Sequence, residues 1–196
     1  MPLGGKGRTA LAPIRLLPYE ARFGDPDIGC VSPSSSISPK LTVMEGAAVS
    51  DVMAITDLVH SYARMLDRGD LAGVAELFEH ATWRSAANGT ILQGTAEVSD
   101  VYDRVQLYDG TPRTKHLITN LSIELDPDGY SASAQCYYTV LQGIVPGEVI
   151  QVILSGQYHD RFSKVDGRWR FADRLIVVDL SGDLTAHFSS TSSNEH

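Results

Sequence analysis

The sequence predicts an α+β fold: three N-terminal helices covering a strongly curved antiparallel sheet, which together form a cone-shaped α+β barrel. Two observations carry this expectation. Apolar residues recur at helical spacing up to about residue 107, and from about residue 115 the chain reads as long strands separated by turn-forming residues. Helices followed by a run of strands point to a sheet with helices packed on one face. A curved sheet closed in this way encloses a tapering cavity, a common form of small-molecule site.

Val52, Ile55, Val59, Tyr62 and Leu66 step by 3, 4, 3 and 4, one stripe of an amphipathic helix over roughly 50–66 with Ser50 as its N-cap. Asp67-Arg68-Gly69-Asp70 breaks the pattern. Asp70 can then cap a short second helix in which Leu71, Val74, Leu77 and Phe78 are apolar. Residues 82–85 read as a short strand, Asn88-Gly89 as a turn, and Ile91 and Leu92 as part of a returning strand. Thr95 can cap a third helix to about Leu107, with Val98, Val101, Tyr102 and Val105 on one side. Long strands are expected over 115–125, 130–142, 149–164 and 168–180. Asp126-Pro127-Asp128-Gly129, Pro146-Gly147 and Asp166-Gly167 lie between them.

The chain has 196 residues, 43% hydrophobic and 20% charged, which suits a packed core. Its net charge of −8, from 16 basic and 24 acidic groups, disfavours a general nucleic-acid role, which needs Lys and Arg against phosphates. No run of 18 apolar residues offers a membrane span. The charge is uneven. Residues 1–43 hold five basic groups (Lys6, Arg8, Arg15, Arg22, Lys40) against Glu20, Asp25 and Asp27, and six of the nine prolines. They lack sustained periodicity and read as a disordered extension, or as an incorrectly assigned start with Met44 the true one. The folded domain is expected over 44–185, with a flexible polar tail over 186–196. No secretory signal is visible, and Cys30 and Cys136 form neither a metal motif nor a disulfide framework, so a reducing, cytoplasmic location is expected.

Three motifs carry more information. Tyr62-Ala-Arg-Met-Leu-Asp67-Arg-Gly-Asp70 ends the first helix, Lys115-His116-Leu-Ile-Thr-Asn120 opens the first long strand, and Gly156-Gln-Tyr158-His-Asp160 with Asp166-Gly167-Arg-Trp169-Arg170 and Arg174 forms the last hairpin. Together they resemble the SnoaL-like and scytalone-dehydratase-like branch of the nuclear-transport-factor-2-like superfamily, whose fold is also called cystatin-like. The resemblance spans about residues 50–180. It implies a hydrogen-bonded dyad of Asp67 and His116 in a cavity, with His116 as general base and Asp67 as its orienting partner. Desolvation lowers the proton affinity of a cavity imidazole, while a carboxylate fixes its tautomer and stabilises the imidazolium formed during reaction.

Tyr62 is expected to polarise a substrate carbonyl, although it belongs equally to the apolar stripe. Asn120 shares strand parity with His116 and is expected to hold substrate or satisfy nearby backbone. Arg174 is either a substrate-binding residue, as in some dehydratase-like relatives, or a solvated strand residue. Trp83, Tyr102, Tyr137 and Trp169 are expected either to line the cavity or to pack in the core. The implied activity is a cofactor-independent lyase or isomerase, dehydratase-like, on a hydrophobic polyketide, steroid or aromatic molecule. A polyketide-type cyclase and a non-catalytic ligand-binding module are the alternatives. The chemistry calls for no metal or organic cofactor. The partners expected are the small molecule and copies of the chain in a homodimer or homotrimer, with no nucleic acid and no membrane.

Overall fold

A computed structural model describes residues 46–143 and 149–189. The expected extension over 1–43 and the last seven residues of the expected tail lie outside the described residues. The elements run α1 (Gly46–Arg68), α2 (Leu71–Glu76), β1 (Thr82–Ser85), β2 (Thr90–Gln93), α3 (Gly94–Tyr102), β3 (Thr114–Leu125), β4 (Ser131–Gly143), β5 (Ile150–Val165) and β6 (Arg168–Ser181). Three helices and an α+β architecture are present as expected. Among the described residues no helix is long and apolar enough to cross a membrane.

The six strands form one sheet in the order β2-β1-β6-β5-β4-β3, with β2 and β3 at its open edges. The sheet is mixed rather than wholly antiparallel, because β1 pairs parallel with β6. Register shifts fall in the β3–β4, β4–β5 and β5–β6 ladders. Each inserts an unpaired residue and bends its strand, which curls the sheet around the helices. In the β5–β6 hairpin both Asp166 (φ 51°) and Gly167 (φ 74°) are left-handed, the geometry a two-residue hairpin turn requires.

The helical stripe behaves as its spacing predicts. Ile55, Val59, Tyr62 and Leu66 are buried against the sheet. Ser50, however, lies a full turn inside α1 rather than at its cap, since the helix already runs from Gly46. Asp70 does cap α2, its carboxylate accepting from the Gly73 amide at 3.0 Å. Gly69 (φ 78°) ends the turn between the two helices, and a Cβ there would collide with the Gly110 carbonyl oxygen. Helix α3 begins at Gly94, with Gln93 rather than Thr95 at its cap, and ends at Tyr102. It stops short of Leu107 because residues 104–106 pair with the C-terminal segment: Gln106 donates to the His187 carbonyl at 2.8 Å and Ser189 donates to that of Arg104 at 2.9 Å. Tertiary backbone bonds here override local helix propensity. Residues 186–189, expected in a loose tail, are docked by those same bonds.

Arg174 is fully buried, neither solvated nor exposed to the cavity. Its Nε and Nη2 donate to the two Asp160 carboxylate oxygens at 2.7 and 2.6 Å. The guanidinium also lies 4.1 Å from the Tyr62 ring centroid, 4.2 Å from that of Tyr158 and 4.6 Å from that of Phe171. Burial opposes its charge, but Asp160 and the facing tyrosines more than compensate and raise its proton affinity. Removing one member of such a pair strands the other charge in the core. Arg174→Ala is therefore expected to cost about 3–5 kcal/mol, and Arg174→Met with Asp160→Leu much less, measured by urea denaturation. A single variant as stable as the parent would show that the pair is not a structural anchor.

Candidate active site

Asp67 ends the last turn of α1 and faces the edge strand β3. One of its oxygens accepts from His116 Nδ1 at 2.7 Å and from the Thr114 hydroxyl at 3.0 Å, and the other accepts from the His116 backbone amide at 3.0 Å. Both side chains are largely buried, His116 at 8% and Asp67 at 11% exposure. Burial alone would raise the Asp67 carboxyl, but the His116 ring and amide and the Thr114 hydroxyl hold it below the ordinary carboxylate value. Asp67 is thus ionised at neutral pH. As an acceptor it fixes the proton of a neutral His116 on Nδ1, which leaves Nε2 as the basic nitrogen.

His116 lines a cavity of about 390 Å³ between the helices and the concave face of the sheet. Tyr62, Trp83, Tyr102, Tyr138 and Tyr158 form an aromatic wall, and Val140, Leu154, Ile176 and Val178 contribute aliphatic surface. The polar atoms of this wall are linked. Trp83 Nε1 donates to the Tyr102 hydroxyl at 3.1 Å, and that hydroxyl lies 2.8 Å from the Tyr62 hydroxyl. Burial raises the phenols of Tyr102, Tyr138 and Tyr158 well above their ordinary value, so they remain protonated. With the Tyr102 hydroxyl donating to Tyr62, the Tyr62 O–H is left to donate to a bound molecule.

The structure therefore brings Asp67, His116, Tyr62, Trp83 and Tyr102 together. Three other expected site residues lie elsewhere. Asn120 is exposed, because the β3 bulge between Thr119 and Ser122 adds a residue there and Asn120 adopts φ 53°. The strand parity that would have aligned it with His116 is lost, and Leu121 turns inward instead. Tyr137 is 51% exposed, since its buried strand neighbours Cys136 and Tyr138 take the inward positions. Arg174 sits behind the aromatic wall, engaged by Asp160. Trp169, also considered for the cavity, donates its indole N–H to Asp51 at 2.9 Å.

Residues 47–175 match the SnoaL-like domain. The chain belongs to the SnoaL-like family. Among solved structures, this SnoaL-like protein is similar to a protein of unknown function from Mycobacterium tuberculosis, solved as an Asp-to-Asn variant. Identity is 26%, with 67% of this chain and 73% of that one covered, at TM-score 0.56. It also shares its fold with a candidate scytalone dehydratase from Novosphingobium aromaticivorans (20% identity, 78% and 100% covered, TM-score 0.59) and with ActVI-ORFA from Streptomyces coelicolor (19%, 66% and 98%, 0.56). Related folds are described as NTF2-like and cystatin-like. No curated protein matches the sequence.

Several cavity residues of this SnoaL-like protein escaped the sequence reading, among them Arg104, Tyr138, Tyr158 and, in the C-terminal segment, His187. His187, expected in the tail, lines the cavity and is only 9% exposed. Its sequence surroundings are polar and Ser-rich, and nothing local signals burial. Burial, followed by the charge of His116, lowers its pKa from 6.5 to about 4. Below pH 6.5 the unfolded chain binds a proton there that the folded chain refuses, so stability falls as pH drops from 6.5 to 4 and levels off below that. The full loss is on the order of 3 kcal/mol. The lowered carboxylates, Asp67 included, lose their stabilising effect chiefly below pH 3.8. Denaturant titrations across pH 4–7 are expected to show this slope in the parent and a shallower one in His187→Gln. Equal slopes would exclude His187 as their source.

Proposed function

We propose that this protein is a cofactor-independent acid–base enzyme that dehydrates or isomerises an apolar, oxygen-bearing small molecule. The observation that supports the reading is the 2.7 Å contact between Asp67 and His116 Nδ1, with the imidazole on the wall of an apolar cavity. His116 Nε2 takes the proton from a carbon next to a substrate carbonyl. The C–H electron pair moves into the carbonyl, and the developing enolate oxygen accepts a hydrogen bond from the Tyr62 hydroxyl. When the enolate re-forms the carbonyl it expels a β-hydroxyl, which leaves as water with the proton returned from His116. Asp67 stays ionised throughout and stabilises the transient imidazolium. Delivery of that proton to a different carbon gives isomerisation instead, and attack of the enolate on a second carbonyl closes a ring.

The reaction class can be tested before the substrate is known. Apolar β-hydroxy ketones incubated with the protein in D₂O are expected to gain deuterium at the α-carbon and to lose water, read by mass spectrometry. His116→Ala is expected to slow both by about 10²–10⁴-fold, the usual worth of a positioned general base. Asp67→Asn is expected to slow them as well while circular dichroism reports a folded chain. Unchanged rates in both folded variants would refute the dyad mechanism, and no exchange or water loss in the parent would leave a ligand-binding module.

We also propose that the protein works as a homo-oligomer. Supporting this, Leu117, Thr139, Ser155 and Leu180 form one row across the outer face of β3, β4, β5 and β6. Leu117 and Leu180 are 47% and 68% exposed, and Tyr137 and Val152 beside the row are each 51% exposed. A second copy would remove this band from water. Leu117→Asp with Leu180→Asp is expected to shift the sedimentation coefficient to that of a monomer. Sedimentation of the parent as a monomer at micromolar concentration would refute it.

A further inference from the structure

The segment after β6 sets a second imidazole in the same cavity as His116. His187 is fixed by its backbone rather than by its ring. Its carbonyl accepts from the Gln106 amide at 2.8 Å, and its own amide donates to the Leu184 carbonyl at 2.9 Å. The preceding Ala186 carbonyl accepts from the Tyr108 hydroxyl at 2.8 Å and from Gln142 Nε2 at 3.3 Å. Ring nitrogen Nδ1 is sealed from solvent and meets no hydrogen-bond partner among the described residues. Histidines that serve only packing usually give their buried nitrogens a protein partner, since an unpaired buried polar atom is costly. Nδ1 is closed off from a ligand, but Nε2 also makes no hydrogen bond to protein among the described residues, and the ring lines the cavity, so Nε2 is the polar atom left for a bound molecule.

The chemistry of that ring follows from its surroundings. Burial and the neighbouring His116 keep it neutral, so it holds one proton. Orphaned N–H groups are rarer than orphaned acceptors, which favours a bare Nδ1 and a proton on Nε2. A neutral donor suits an uncharged hydroxyl or carbonyl oxygen. It gives no charge compensation to a carboxylate.

We propose that His187 is a ligand-binding residue whose Nε2–H donates to a second oxygen of the substrate, so that the cavity favours apolar molecules with two oxygen functions. One oxygen-bearing centre engages His116 and Tyr62, and the other oxygen engages His187. Both imidazoles line the one cavity, so a single bound molecule can meet both. This rests on the acid–base reading of the cavity, which supplies the first oxygen's partner.

The test is binding of three probes, 4-phenylphenol, 4-phenylcatechol and 5-phenylresorcinol, to the full chain by isothermal titration calorimetry. At least one diol is expected to bind about 5–10-fold more tightly than the monophenol, the gain that one net hydrogen bond supplies. His187→Phe is expected to keep the monophenol affinity and lose the diol advantage, and His187→Gln, which retains a donor, to recover part of it. In the parent chain labelled with ¹⁵N-histidine, the His187 Nε2 resonance is expected to move with the preferred diol and not with 4-phenylphenol, a readout that needs no folded variant. A parent that shows no diol advantage, an advantage that survives in His187→Phe, or a resonance that ignores the diol overturns the proposal. A diol advantage that persists while His116→Ala leaves deuterium exchange unchanged would sink the acid–base mechanism and leave the His187 subsite standing.

Discussion

One carboxylate joins the first helix to the edge of the sheet. Asp67 accepts from the Thr114 hydroxyl, the His116 amide and the His116 ring, so three donors at the start of β3 converge on the end of α1. The amide bond matters as much as the ring bond. An edge strand carries N–H groups that no neighbouring strand receives, and an unmet one so near the core would be costly. By accepting it, Asp67 anchors the strand and orients the side chain that the strand presents. The helix–sheet junction and the orientation of the His116 ring therefore depend on the same carboxylate.

A second layer supports the first. Tyr62 lies five residues before Asp67 on α1, and its ring rests on the Arg174 guanidinium, itself clamped by Asp160. The phenol cluster is thus backed by a buried cation rather than by aliphatic packing alone. Its hydroxyl chain, from the Trp83 indole through Tyr102 to Tyr62, points toward the cavity from the same side. A carbonyl held there would find a donor already oriented and largely shielded from water, the condition under which electrostatic stabilisation of an enolate is most effective.

How much of this was legible in the sequence depended on whether the signal was local. The α1 stripe could be read because burial of Ile55, Val59, Tyr62 and Leu66 follows a helical period. Asp70 and Asp166-Gly167 could be read because caps and tight turns are built from their own residues. Asn120 could not, since a single inserted residue reverses strand parity and composition does not mark where it falls. Arg174 was misread because its partner, Asp160, becomes its neighbour only through the β5–β6 register. The premature end of α3 and the burial of His187 share one cause. The C-terminal segment pairs with residues 104–106, and no local pattern at either end announces it.

That shared cause gives the cavity its asymmetry. On the Asp67 side, the imidazole is bonded to a carboxylate that sets its tautomer. On the C-terminal side, a second imidazole lines the same space, and burial, with His116 beside it, keeps that ring neutral. Two chemically identical rings thus differ in their surroundings: one is bonded through Nδ1 to a carboxylate, and the other is buried with its Nδ1 unpartnered among the described residues. The side-chain bond to Asp67 orients the first ring, and the backbone bonds of residues 186–189 hold the second in the wall of the same pocket.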